Sequence, residues 1–185
     1  AQAAHERFAL LREVVAHPDA VPRLERADEW LIYYDGCEGG YDRFVANRAQ
    51  DSLLEGMPVS SFAAVLDVDA SNPAQVETRW GRAIPARYRD LMPDLDLVDE
   101  KPARFLGCAC VSLPYCDDED KIPGFDRSGA VRTRIADFLL AHGLRQSGAI
   151  VAPCVLPVRG KVYTRLYVPV EATGLKGKLE LARLG

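Results

Sequence analysis

Apolar residues recur along the chain with two periods, and the points where one period gives way to the other mark out its elements. Phe8, Leu11, Val14 and Val15 fall at helical spacing between His5 and Val15, with Pro18 and Pro22 closing the run, so a short amphipathic helix is predicted there. Trp30-Leu31-Ile32-Tyr33-Tyr34, ended by Asp35-Gly36, predicts a strand. Tyr41, Phe44, Val45, Ala49 and Leu53 return to helical spacing until Gly56 and Pro58. Alternation from Ser61 to Asp69, the Asn72-Pro73 turn signal and an extended run from Val76 to Ile84 then predict a hairpin.

After a short helical turn around Tyr88, Leu91 and Met92 the same order begins again. Arg104 to Leu113 predicts a strand, and Ala130 to His142 a helix stopped by Gly143. Ala149 to Leu156 and Val162 to Val168 predict a second hairpin turning at Arg159-Gly160. The helix starts at Tyr41 and Gly129, the second strands at Ser61 and Gly148, and the third strands at Val76 and Lys161 lie 88, 87 and 85 residues apart. The first strands, at Glu29 and Arg104, differ by 75 because Pro114 to Ser128 inserts a longer loop into the second half. The expected fold is therefore α+β, with duplicated β-α-β-β units, an antiparallel sheet and helices on one side. Residues 1–27 would form an N-terminal helical appendage, 28–172 a single domain made of two repeats (28–86 and 99–170), and 173–185 a C-terminal tail. Joining two such units protects sheet edges and leaves a furrow between them.

Composition narrows the field of functions. In 185 residues, 23 basic and 27 acidic side chains give a net charge of −4, so nothing draws the whole surface to a phosphate backbone and no nucleic-acid contact is expected. Charged residues interrupt every apolar stretch well short of a membrane span, so no membrane partner is expected either. Five scattered cysteines, Cys37, Cys108, Cys110, Cys116 and Cys154, suit a reducing compartment better than a disulfide framework, and the cytoplasm is the expected location. The oligomeric state is left open.

Several features of this layout resemble those of a known family: the repeated β-α-β-β order, Gly40-Tyr41 opening the first helix, the polar turn from Asp67 to Pro73, and the closing strand Arg165-Leu166-Tyr167-Val168-Pro169-Val170. Over residues 28–172 the chain is similar to the GyrI-like small-molecule-binding domains. That family includes effector-binding domains of MerR- and AraC-type regulators, gyrase-inhibitor-like proteins, and hydrolases of cyclopropane-bearing DNA-alkylating natural products. The resemblance implies an aromatic-walled pocket between the repeats, used for sensing or sequestration of a lipophilic or aromatic molecule, cationic ones included. Many members place a glutamate on the first strand of the second hairpin. Here the stretch reads Ile150-Val151-Ala152-Pro153-Cys154-Val155-Leu156, with Cys154 near that position.

The candidate ligand-binding residues are Tyr33, Tyr34, Glu77, Trp80, Tyr115, Phe125, Cys154, Tyr163 and Tyr167. Tyr163 and Tyr167 share one face of their strand, opposite Val162, Leu166 and Val168. Each aromatic also has a plain reading as an ordinary sheet residue. Glu77 beside Trp80 could hold a cation, or stand in solvent. The run Asp117-Asp118-Glu119-Asp120, with Tyr115, Ile122, Pro123 and Phe125, is either a lid over the cleft or a solvated tip. Cys108 and Cys110 have no second ligand pair, so no metal is expected, and no cofactor fingerprint occurs. A Cys154–His142 nucleophile pair is conceivable, but His142 reads more simply as a structural residue before Gly143. No catalytic residue is expected. The alternatives to binding are a hydrolase of reactive lipophilic toxins working through Glu77 or the loop carboxylates, and a module that captures gyrase or another protein through the acidic loop.

Overall fold

In the computed structural model, residues 2–34, 60–68, 76–91, 101–119, 126 and 129–185 are described. The expected helix from Tyr41 to Leu53, the Asn72-Pro73 turn, Cys37, Asp120 and Phe125 lie outside the described residues. Element order is α1 (Gln2–Ala16), β1 (Arg23–Arg26), β2 (Glu29–Tyr33), β3 (Ser61–Val68), β4 (Val76–Pro85), a 3-10 turn (Ala86–Leu91), β5 (Ala103–Leu106), β6 (Ala109–Asp118), α2 (Ala130–Ala141), β7 (Leu144–Gln146), β8 (Ile150–Ala152), β9 (Val155–Val158), β10 (Lys161–Ala172) and α3 (Leu175–Ala182).

All strand pairs are antiparallel, in the order β1-β6-β10-β8-β3-β4-β2-β5, with β7 and β9 also on β10. The ends of this list meet. β1 runs on into β2 and β5 into β6, and the two composite strands face each other in one register, from Arg23 opposite Ser112 to Ile32 opposite Ala103. The step between the halves is bridged by the Ala27 N–H to the Cys108 carbonyl (3.0 Å) and the Gly107 N–H to the Asp28 carbonyl (3.2 Å). Left-handed backbone at Leu106 and Gly107 makes the bend. The sheet therefore curls onto itself, which leaves few free edges.

Each face of this sheet has its own packing. On one, Ala64, Leu66, Trp80, Val111, Leu113, Tyr115, Ile150, Val162, Leu166 and Val168 form the main core, covered by Ile135 and Leu139 of α2. On the other, Ile32, Ala63, Val65, Ala83 and Val151 pack small against small. Gly81 belongs to this tight region, where a Cβ would come within 2.6 Å of the Tyr33 carbonyl. α1 lies against the face of β10 that carries Arg165 and Tyr167.

α2 begins at Gly129, which has no side chain to cap it. Asp126 does so from outside: its carboxylate accepts the Val131 and Arg132 amides, both at 3.0 Å, and pairs with Arg132 Nε at 3.0 Å. At the other end Gly143 takes the expected left-handed stop.

The structure differs from sequence expectation at several elements. Ala149 to Leu156 is two strands, broken at Pro153-Cys154, and Arg104 to Leu113 is broken at Gly107-Cys108. Residues 173–185 carry a helix, α3, whose Gly177 comes so close to the Gly143 carbonyl that a Cβ there would lie 2.0 Å away. β1, with the sequence Arg-Leu-Glu-Arg, pairs with β6 within the sheet. Among the described residues no helix is long and apolar enough to cross a membrane.

Candidate functional site

A cavity of about 370 Å³ opens between α1 and the sheet. Its wall is contributed by Glu6, Arg7 and Leu10 of α1, by Glu25 to Asp28 and Trp30 of the β1–β2 segment, and by Ser61, Pro85, Arg87, Cys154 and Tyr167 from the sheet and its margins. The size falls in the usual range for small-molecule pockets, roughly 300–1,000 Å³.

Both packing and polar contacts hold α1 in place. Val14 is fully buried and Leu11 nearly so. Arg87 bridges Glu6 and Asp28, the Tyr88 hydroxyl donates to Glu6 at 3.2 Å, Arg7 donates to the Ser60 carbonyl, and Arg23 pairs with Glu13 at 2.8 Å. The hydrogen bond from Arg87 is the main reason the Glu6 carboxyl is held below its ordinary range.

Behind the cavity sits Arg165, only 2% exposed. Its Nε donates to Ser112 Oγ at 3.1 Å, and Glu13 and Glu25 both lie 3.9 Å away. Ser112 in turn donates to Glu25 at 2.5 Å. Burial lowers the Arg165 pKa and raises that of the neighbouring Tyr167, because each loses the water that would solvate its charged form.

Cys154 occupies the break between β8 and β9, where a buried thiol meets the cavity. Burial pushes its pKa from 9.0 to about 11, against the opposite pull of Arg7. At neutral pH it is a thiol, which makes it a polar wall atom and a poor nucleophile. Because the fold favours the protonated form, the unfolded chain loses its proton first as pH rises past 9, and stability should fall between pH 9 and 11. Cys154→Ala is expected to flatten that fall in urea unfolding measured across this window. An unchanged slope would mean that the thiol is not shielded as described.

The sequence-derived candidates are distributed as follows. Cys154 and Tyr167 line the cavity. Tyr163 stands on the same face of β10, half-buried. Trp80 and Tyr115 lie in the main core beneath α2; the Tyr115 hydroxyl donates to Asp117 at 2.9 Å and accepts the Asp126 N–H at 3.2 Å. Tyr33 is buried, and Tyr34 lies under the Arg79 guanidinium at 5.0 Å. Glu77 is exposed on β4 opposite Asp67, with Trp80 buried on the other face of the strand. Asp118 of the acidic run pairs with Lys161 at 3.5 Å. His142 stacks on Phe138 with ring centroids 4.1 Å apart and faces Glu180 at 3.4 Å, at the junction of α2 and α3, whereas Cys154 faces the cavity. Among the described residues no group of His, Cys, Asp or Glu is arranged to hold a metal ion. Sequence reasoning missed most of the wall, including Glu6, Arg7, Leu10, Glu25, Arg26 and Trp30. The signal was present in α1, where Glu6, Leu10 and Glu13 stand at i, i+4 and i+7 beside Arg7.

No family model and no curated protein matches the chain. Among solved structures, a hydrolase encoded by lin2189 from Listeria innocua is similar at 15% identity with a TM-score of 0.49, the match covering 89% of this chain and 98% of that one. The curled antiparallel sheet with a few helices is an α+β fold.

Proposed function

We propose that the chain binds one small apolar or aromatic molecule in the cavity beneath α1, for sensing or sequestration. The observation that carries this reading is a space of about 370 Å³ walled by Trp30, Leu10, Pro85 and Tyr167, with polar groups placed around them. Apolar area buried there at ~25 cal/mol per Å² is enough for micromolar binding of a drug-sized molecule. The GyrI-like resemblance points the same way. So does a doubled β-α-β-β architecture, which we also propose. Its support is a strand order that mirrors about the β3–β8 contact: the second, third and first strands of each half follow outward on both sides. Hydrolysis through Glu77 draws no support from its exposed place on β4, away from the cavity wall.

Titration with the uncharged fluorophore N-phenyl-1-naphthylamine is expected to saturate at one molecule per chain. Leu10→Gln, on the roof, should weaken binding about tenfold through lost apolar contact, while the exposed Leu179→Gln should leave it unchanged. Absence of saturable binding, or equal effects of the two substitutions, would overturn the reading.

A further inference from the structure

Three carboxylates and three guanidinium groups reach the cavity wall, and their partners are unequally shared. Every carboxylate already accepts from a guanidinium, although two of them share one. Glu6 and Asp28 both pair with Arg87, and Glu25 pairs with Arg23 at 2.5 Å and accepts the Ser112 hydroxyl. The guanidinium groups are not matched in the same way. Arg87 holds two carboxylates, but Arg7 donates to a single backbone carbonyl, that of Ser60, and among the described residues no carboxylate lies within ion-pairing distance of Arg7 or Arg26. A guanidinium has five N–H donors in a planar fork, so most of the donor capacity of Arg7 is unused.

Arg7 is half-buried on the roof, and the Cys154 thiol, which lines the same cavity, is neutral and offsets none of its charge. A charged group withdrawn from water without a counter-charge is costly, and an incoming anion relieves that cost. An incoming cation would meet Arg7 and Arg26 and find each carboxylate already taken.

From this imbalance we infer that the molecule taken by the cavity is a lipophilic acid, its carboxylate seated in the fork of Arg7 and its apolar body against Trp30, Leu10 and Tyr167. The inference rests on the reading of the cavity as a ligand pocket, and assigns that pocket a charge preference. Arg26, exposed on β1 at the rim, strengthens the field at the mouth.

The test uses three probes on one naphthalene body, the near-isosteric naphthalene-2-carboxylate and naphthalene-2-carboxamide and the bulkier cation (naphthalen-2-ylmethyl)trimethylammonium, each measured by calorimetry and by competition against N-phenyl-1-naphthylamine. A bidentate charge-assisted contact should make the carboxylate at least about tenfold tighter than the amide. Arg7→Met should bring the carboxylate down to the affinity of the amide without moving the amide itself, Arg7→Lys should retain part of the preference, and Arg26→Gln should reduce it a few-fold. Raising salt on the unaltered chain should weaken the carboxylate alone, which keeps the test decisive even if Arg7→Met fails to fold. A cation that binds as tightly as the acid, or a preference that ignores both salt and Arg7, overturns the inference while leaving the pocket standing. Failure of N-phenyl-1-naphthylamine to bind at all would remove the pocket as well.

Discussion

Replacing Trp80 with alanine is expected to destabilise the protein by about 3–5 kcal/mol, the usual loss for a large aromatic cut from a core, yet to leave ligand affinity in the folded protein unchanged. Trp80 is 3% exposed and packs with Leu66, Val111, Leu113 and Ile135 between the sheet and α2, on the face opposite that of Gly81 and Ala83. Its removal empties space that the rigid neighbours on β3 and β6 cannot refill. Urea unfolding measures the first part of the prediction and probe titration the second. Loss of binding with little loss of stability would put the indole at the ligand and contradict the arrangement of the two faces.

Arg165→Met is the second large effect, a loss of about 1–3 kcal/mol, what is seen when a buried polar group loses its hydrogen-bond partner. The methionine keeps most of the apolar stem but leaves Ser112 without its Nε donor contact and takes a positive charge away from Glu13 and Glu25. The loss is no larger because Arg23 still holds both carboxylates, at 2.8 and 2.5 Å. Adding Glu25→Gln to Arg165→Met should cost less than the sum of the single changes, since the two side chains share one network. Strict additivity would show that the 3.9 Å contact carries no coupling.

Regular elements were legible where one side of the element meets an apolar partner and the other meets water. The helix over Ala130 to His142 followed from spacing, and its stop at Gly143 and the hairpin turn at Arg159-Gly160, all three residues left-handed, from residue type. β1 was not legible, because Arg23 and Glu25 face a charged network and only Leu24 packs against the main core. The stripe read on the first helix was partly rotated: Leu11 and Val14 are buried, but Phe8 is 69% exposed, and the cavity side carries Glu6, Arg7 and Leu10. The candidate site suffered from the same cause. A search for strand aromatics finds Tyr167 and also finds Trp80 and Tyr115, since period-2 spacing tells which residues share a face but not which face holds the core and which the cavity. Cys154 emerged through the family resemblance, whereas Arg7 emerges only when the stripe of Glu6, Leu10 and Glu13 on the first helix is read as a docked face.

The central claim is that a ligand enters the space under α1, and the two indole N–H groups test it directly, because Trp30 stands on the cavity wall and Trp80 in the core beneath α2. In a ¹⁵N–¹H correlation spectrum recorded through a titration with naphthalene-2-carboxylate, the account predicts that the Trp30 indole resonance moves to saturation while that of Trp80 stays in place. Movement of Trp80 alone, or of neither at saturating probe, would contradict it.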